Sequence, residues 1–277
     1  MFESYMFVPA NKKRFIDKSL KLEKLDYRIF DLEDSVVDKD FEIAMDNLSK
    51  TKILQNDWVR IPFCKSGQAR VIRQINELGL NNYVIPKFEG YEEFKSIFFD
   101  ITSINNKAKL LLLIENPKSY IYIEKILKEF SRFIHGISLG IHDFAFATGM
   151  KNDYKLLRSI RMNIMLVAKA YSVKPIDVVS MRLKDKTWLT EEILDGFEIG
   201  YRGKLIIHPY QLEVLNSVEF YTLEEIKEYK KVFKYYQENI QEEDAVFSFN
   251  DRVYERMHME EIMEIVEWGR NFYGTDW

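Results

Sequence analysis

The segment YRIFDLEDSVVD, residues 27–38, decides how this chain is read. Tyr27, Ile29, Phe30, Leu32, Val36 and Val37 have the aromatic and branched make-up of a core strand and its flank. Asp31, Glu33, Asp34 and Asp38 are set among them. Uncompensated buried carboxylates are expensive and persist only when paired, hydrogen-bonded or near a metal. A strand ending in such a cluster implies a polar pocket at its C-terminal end. Whether other strands end the same way settles the fold.

They do. Further β-rich runs are SYMFV (4–8), WVRI (58–61), YVIP (83–86), KLLLLI (109–114), GISL (136–139), PIDVVS (175–180) and KLII (204–207). With 27–31 they make eight. Helical stretches such as FEIAMDNL (41–48) and EEFKSIFF (92–99) lie between them. Strands alternating with helices imply parallel βα units. The first six runs are mostly unbroken apolar stretches, as expected of strands covered on both faces. Eight units in about 210 residues predict an α/β fold, a (β/α)8 TIM barrel. A doubly wound open sheet would want a glycine-rich turn after its first strand, and PANKK (9–13) has none.

After the eighth run the pattern turns helical. EEIKEYKKVFKYY (224–236) and MEEIMEIVEWGRNF (259–272) each show one apolar face, and QEEDAVFSFND (241–251) separates them. The expected organisation is a barrel over 1–222 and a C-terminal helical extension over 223–277, packing on the barrel or on a neighbouring subunit. Val232, Phe233, Tyr235 and Tyr236 form the apolar face that needs a partner.

Composition narrows the classes. A net charge of −4 gives no electrostatic case for nucleic acid. The longest apolar runs are far too short to span a bilayer, and MFESYMFVP has no basic region of a signal peptide. The one cysteine, Cys64, forms no internal disulfide and reads as a small buried hydrophobe. These features predict a cytoplasmic protein.

Polar residues stand at most strand ends: Asp31, Glu33 and Asp34; Arg60; Lys87; Glu115 and Asn116; Gly140, Ile141, His142 and Asp143; His208. That end of a barrel is where active sites are built. Carboxylates without a histidine or cysteine cluster favour a hard cation, best Mg²⁺, which would act as a Lewis acid. Arg60 would grip a carboxylate bidentately, or pair with Glu33 or Asp34. Glu115 and Asp143 are metal ligands or, more blandly, solvated capping acids. Lys87 is an electrostatic support or a Schiff-base lysine. Asp31 reads as a hydrogen-bonded structural acid, and His208 as a residue bonded to backbone rather than a base.

FVP (7–9), DLEDSV (31–36), VRI (59–61), IPK (85–87), LIE (113–115), LGIHD (139–143) and GKLIIHP (203–209) occur in order. In this the chain resembles the citrate lyase β-subunit-like proteins of the HpcH/HpaI aldolase group, which includes malyl-CoA and citramalyl-CoA lyases. The resemblance covers about residues 4–265. It implies a Mg²⁺-dependent carbon–carbon lyase that splits a β-hydroxyacyl thioester into a 2-oxo acid and an acyl thioester. It implies Glu115 and Asp143 as metal ligands, and Arg60 as the residue that binds the oxo-acid carboxylate. Glu33 and Asp34 match acids that hold metal-bound waters. Backbone N–H groups around Gly140, Ile141 and His142, with Lys87 in support, would bind substrate. Homotrimers or hexamers are implied, with the tail reaching a neighbour.

The sequence departs from that pattern in places. In DRVYERMH (251–258), Glu255 stands where an aspartate acid is expected and Met257 where a proline is; His258 is kept. Glu255 is therefore the candidate for protonating the thioester enolate. Glu3 replaces an arginine that helps bind CoA phosphates, which argues against CoA. Ala10, Pro62 and His142 also differ from the common residues. The alternatives are a CoA-independent 2-oxo acid aldolase and a silent paralogue that binds Mg²⁺ and an oxo acid.

Overall fold

The structure, a computed structural model, describes residues 2–63, 67–240 and 244–274. Cys64 lies outside the described residues. The chain divides into two compact units, one of residues 2–218 and one of residues 219–277.

The first unit alternates strands and helices. In order they are β1 (Glu3–Pro9), α1 (Lys13–Ser19), β2 (Tyr27–Asp31), α2 (Phe41–Ser49), β3 (Asp57–Arg60), α3 (Gln68–Glu77), β4 (Asn82–Ile85) and α4 (Tyr91–Ile104). There follow β5 (Lys109–Ile114), α5 (Pro117–Phe130), β6 (Ile134–Leu139), α6 (Ile141–Thr148), α7 (Arg158–Ala170), β7 (Lys174–Pro175), α8 (Lys186–Glu198), β8 (Gly203–Ile206) and α9 (Pro209–Asn216). All eight strands are parallel, in the order β7-β6-β5-β4-β3-β2-β1-β8. This is the TIM-barrel arrangement that the eight apolar runs predict.

The alternation of side chains divides the core in two. Tyr5, Phe7, Ile29, Trp58, Val84, Leu111, Leu113 and Leu205 pack together as one cluster. The intervening residues, among them Met6, Phe30, Val59, Ile85 and Leu112, join the helices in a second. Strands flanked by two cores must be apolar at every position, which is why the runs are unbroken.

Two details depart from expectation. The seventh strand is two residues long instead of the six of PIDVVS. Beyond it the chain touches β8 through one bridge, Asp177 opposite Lys204, with Asp177 N–H donating to Gly203 O and Leu205 N–H to Asp177 O. Val37, placed in the core by its apolar neighbours, is 55% exposed, because the chain has already turned away after Val36.

The second unit holds α10 (Leu223–Asn239), β9 (Val246–Phe249), β10 (Arg252–Glu255) and α11 (Met259–Tyr273). The expected helices are present. Between them lies an antiparallel hairpin. Its turn residues Asn250 and Asp251 both have positive φ, as a tight two-residue hairpin turn demands. The hairpin supplies a partner for the α10 face: Phe247 packs on Tyr235 and Tyr236 and stacks on Tyr254, around Val232, Met259 and Ile262. Among the described residues no helix is long and apolar enough to cross a membrane.

Candidate active site

The strand register assembles the site. Pro9 pairs with Asp31, and Asp31 with Arg60, so these residues form one row across β1, β2 and β3. Ile114 pairs with Leu139, which brings the next residues, Glu115 and Gly140, alongside each other. The helices then start at once. Asn116 caps α5 by accepting from Ser119 N–H, with Pro117 in the first turn. Glu115 is thereby fixed at the last position before the helix.

A cavity of about 330 Å³ opens at these strand ends. Its lining combines charged residues, Asp31, Asp34, Arg60, Glu115 and Asp143, with an apolar wall of Phe7, Leu113, Val179, Met181, Leu205 and Ile207. The apolar wall is the strand interior continued upward. Phe7, Leu113, Leu205 and Ile207 fall within the ordered motifs but read there as core, and Val179 and Met181 lie outside them.

The opening cluster of carboxylates is resolved by Arg60. Asp31, 2% exposed, takes its Nε at 2.6 Å and its Nη2 at 2.7 Å. Asp31 also accepts from the backbone N–H of Glu33 and Ser35. Burial alone would raise the Asp31 carboxyl, but Arg60 prevails and holds it below its ordinary value. Arg60 lies over the Phe7 ring at 4.7 Å. Its Nη1 donates to Asp34 Oδ2 at 2.8 Å and lies 3.3 Å from Glu33 Oε2. Asp31 fills the Nε–Nη2 fork of Arg60, and the pairing with Asp34 and Glu33 falls to Nη1. Asp38 stands outside the cluster, in a short 3₁₀ turn.

Lys87 ties the remaining acids together. Its Nζ donates to Glu33 Oε1 at 2.6 Å and to Asp34 Oδ1 at 2.5 Å. Its backbone N–H donates to Glu115 Oε2 at 2.6 Å. To do both, Lys87 adopts φ +50°, a left-handed conformation that a side-chain-bearing residue keeps only where its surroundings enforce it. Burial would raise the Asp34 carboxyl and lower the Lys87 ammonium. Their mutual pairing, with Arg60 beside Asp34, holds Asp34 down at about 2 and Lys87 above its ordinary value. Glu33 stays raised, chiefly by burial.

Glu115 is pushed up to about 8, first by burial and then by the nearby Asp143 and Glu33 carboxylates. The Lys87 N–H and Arg60 pull the other way without offsetting this. Gly140 makes the burial possible: a Cβ there would overlap Glu115 Cγ and lie 2.8 Å from Oε1. Gly140 offers space in place of a donor, because its N–H is already bonded to Ile114 O. The N–H groups of Ile141 and His142 open α6 and have no partner within the helix. The His142 ring is exposed and pairs with Asn152.

Five acids, Asp31, Glu33, Asp34, Glu115 and Asp143, thus face two bases, Arg60 and Lys87. Glu33 Oε2 is buried without a hydrogen bond among the described residues. An oxygen-only set with surplus negative charge fits a hard divalent cation. Among the described residues no three His, Cys, Asp or Glu side chains converge as a full ligand set. A pair, Glu115 and Asp143, matches the one or two carboxylates that Mg²⁺ commonly takes.

Other candidates lie elsewhere. His208 caps α9, accepting from Tyr210 N–H through Nδ1, as the backbone reading expects. Glu3 begins β1, about 20 Å from Pro9 at ~3.3 Å per residue. It pairs there with Lys174 and accepts from Tyr5 Oη. Its charge is paired at the opposite end of β1 from the site. Glu255 ends β10 in the second unit, beside Arg256 and Met257.

The chain is 25% identical to a mitochondrial citramalyl-CoA lyase of Rattus norvegicus, over 94% of this chain and 84% of that protein. It is 26% identical to a (3S)-malyl-CoA thioesterase of Cereibacter sphaeroides, over 78% and 76%. Its fold matches that of CitE from Mycobacterium tuberculosis, determined with magnesium, acetoacetate and coenzyme A, at a TM-score of 0.78 and 20% identity over 96% and 98% of the two chains. Residues 3–209 match the profile of one family across the whole barrel. The chain belongs to the HpcH/HpaI aldolase/citrate lyase family and is an enzyme of its lyase class.

Proposed function

We propose that this enzyme cleaves a β-hydroxyacyl thioester into a 2-oxo acid and an acyl thioester with the aid of Mg²⁺, or runs that reaction in reverse. The observation that carries the reading is Glu115: a carboxyl buried against Gly140, pushed up by burial and by two further acids, in a cavity with more acids than bases. Glu115 and Asp143 would hold the cation, which when bound supplies Lewis-acid polarisation of the oxygen at the cleaved carbon.

The chain's own groups divide the rest. Arg60 and Lys87 offset the negative charge of the substrate carboxylate, and the N–H groups of Ile141 and His142 add donors. The apolar wall from Phe7 to Ile207 excludes water from the thioester side. In the cleavage direction the hydroxyl gives up its proton to a carboxylate of the acid-rich cavity, its oxygen becomes the carbonyl of the 2-oxo acid, and the carbon–carbon bond breaks. The bonding pair passes to the thioester as an enolate, which takes a proton at carbon. Glu255 is the acid the sequence offers for that proton. The relatives named above supply the substrate class, thioesters of malyl or citramalyl type.

The test offers malyl-, citramalyl- and citryl-thioesters with and without Mg²⁺ and follows release of 2-oxo acid. Release from one of them that needs Mg²⁺, Glu115 and Asp143 is expected. Unchanged cleavage in Glu115→Ala and Asp143→Ala would sink the reading. Replacement of the usual acid by Glu255 and of the proline by Met257 favours one second reading, oxo-acid binding without turnover. Cleavage that depends on Glu255 would eliminate it.

A further inference from the structure

The contacts of Arg60 raise a problem that the proposed function must meet. A ligand carboxylate needs donors, yet Asp31, Asp34 and Glu33 surround the guanidinium. These acids are not equally fixed. The Asp31 side chain is 3% exposed and holds two Arg60 nitrogens. The Glu33 side chain is 10% exposed. The Asp34 side chain is 45% exposed, lines the cavity, and follows β2 in a turn.

Asp34 has a particular place. One oxygen sits 2.8 Å from Arg60 Nη1 and the other 2.5 Å from Lys87 Nζ. It spans Arg60, which lines the cavity, and Lys87 beside it with the two oxygens of one carboxylate. A 2-oxo acid presents the same group to the same pair.

Resting on the function proposed above, we infer that the Asp34 carboxylate is an internal stand-in for the substrate carboxylate, and that the ligand binds by displacing it from Arg60 Nη1 and Lys87 Nζ. Asp31 is then the positioning residue that keeps Arg60 in place during the exchange. Asp34 can leave at little cost, because its side chain already faces solvent on one side. While it stays, it gives each cation one further carboxylate contact, beside Asp31 on Arg60 and Glu33 on Lys87. The arrangement selects for a ligand that carries its own carboxylate, since such a ligand restores the two contacts that Asp34 gives up, one to Arg60 Nη1 and one to Lys87 Nζ.

The inference reverses the usual sign of an active-site mutation. Removing Asp34 removes a competitor, so the oxo acid should bind more tightly. Pyruvate and glyoxylate are the probes, titrated calorimetrically at fixed Mg²⁺ into wild type, Asp34→Ala, Asp34→Asn and Asp31→Asn. Asp34→Ala is expected to tighten binding about tenfold, the equivalent of about 1.4 kcal/mol. Asp34→Asn should tighten it less, and Asp31→Asn should weaken it. Mg²⁺ is titrated alone into the same proteins, and its affinity should not change in Asp34→Ala.

Unchanged or weaker oxo-acid binding in both Asp34 variants, with wild type binding, would overturn this inference alone. So would a parallel loss of Mg²⁺ affinity, which would make Asp34 a holder of metal-bound water. No binding of either oxo acid to any of the proteins would overturn the proposed function as well. A crystal structure of wild type with Mg²⁺ and pyruvate gives a check that needs no variant. Asp34 is expected beyond hydrogen-bond reach of Arg60, and pyruvate bound with the Asp34–Arg60 pair intact would overturn the exchange.

Discussion

Glu115 at the strand ends and Asp177 at the seam between β7 and β8 are buried in the same way, each against a glycine. A Cβ on Gly140 would overlap Glu115, and one on Gly196 would overlap Asp177. What differs is the charge around them. At the seam Arg161, 0% exposed, donates to Asp177 through Nε and Nη2 at 3.0 and 2.9 Å, and to Asp195 through Nη1 at 2.6 Å. Lys204 donates to Glu192 at 2.7 Å and to Val178 O. Arg158 holds the other oxygen of Asp195. Three acids meet three bases. At the strand ends five acids meet two. The seam is closed and self-sufficient, whereas the site is left in need of positive charge.

The seam also replaces hydrogen bonding. With β7 only two residues long, the ring there depends on one bridge and on side chains from α7, α8 and β8. Arg161→Ala should therefore have the largest effect on stability. It strands Asp177 in the interior, and breaking a buried pair from one side costs about 3–5 kcal/mol. Urea unfolding should show that loss, with Mg²⁺ binding unchanged in the protein that remains folded. A loss under about 1 kcal/mol would mean that backbone contacts hold the seam.

The next contrast is in pH. Glu115 has its folded value raised to about 8 from an ordinary 4.5. The folded state binds more protons than the unfolded in that interval. The contribution of Glu115 is fully present below about 4.5 and is lost as pH rises through about 8. In Mg²⁺-free buffer, stability should fall between pH 5 and 7 by roughly 2–3 kcal/mol. Glu115→Gln should flatten the profile. Asp34 has the opposite sign: held at about 2, its contribution is present above its ordinary 3.8 and is lost in stronger acid. A profile that rises from pH 5 to 7 in wild type and in Glu115→Gln alike would remove Glu115 as the source of the site's charge deficit.

These contrasts explain what was legible in the chain. Glu33, Asp34, Arg60, Lys87, Glu115 and Asp143 each follow or end an apolar run, and a parallel barrel gathers strand ends at one rim. Their meeting follows from the fold class. The seam did not stand out. Asp177 and Lys204 lie inside apolar runs, where they look like interruptions. Arg161 and Glu192 fall on helices, where a charge usually means a solvated face. Nothing local says that these four are paired 12 to 27 residues apart in sequence. The hairpin was missed for a related reason. Its Asn250–Asp251 turn was present to be read, but two strongly periodic helices flank it and each strand has only four residues. The occupied fork of Arg60 was also hidden, because it depends on which carboxylate reaches the guanidinium first.

A smaller effect tests the shared steric device. Gly140→Ala must move Glu115, because the new Cβ would meet its Cγ, Cδ and Oε1. The shift changes the position of one carboxylate and leaves the cavity's charge intact. Mg²⁺ affinity should fall about tenfold to a hundredfold, equivalent to about 1.4–2.8 kcal/mol, as measured by calorimetry. Gly196→Ala makes the matching overlap with Asp177 and should leave Mg²⁺ affinity alone while lowering stability. Equal effects of the two substitutions on the metal would break the distinction between site and seam.

The smallest expected effect is the most informative about the seam. Lys204 and Glu192 are 1% and 3% exposed, and their pairing offsets a desolvation cost comparable to the pairing itself. Lys204→Met alone leaves Glu192 with the Trp188 Nε1–H, at 3.1 Å, as its one side-chain donor among the described residues. Glu192→Met alone leaves the ammonium with Val178 O and a distant Asp177 oxygen at 3.6 Å. Each single change should cost about 3 kcal/mol or more. The double replacement removes both charges, keeps the volume, and should come within about 1 kcal/mol of wild type. The double-mutant cycle from urea unfolding checks this. Near-neutrality would mean that the seam needs balance rather than charge, which is the condition the strand-end site lacks. A double replacement as costly as the singles would show instead that the ions themselves hold β8 against Asp177, and that the seam, like the site, depends on charge.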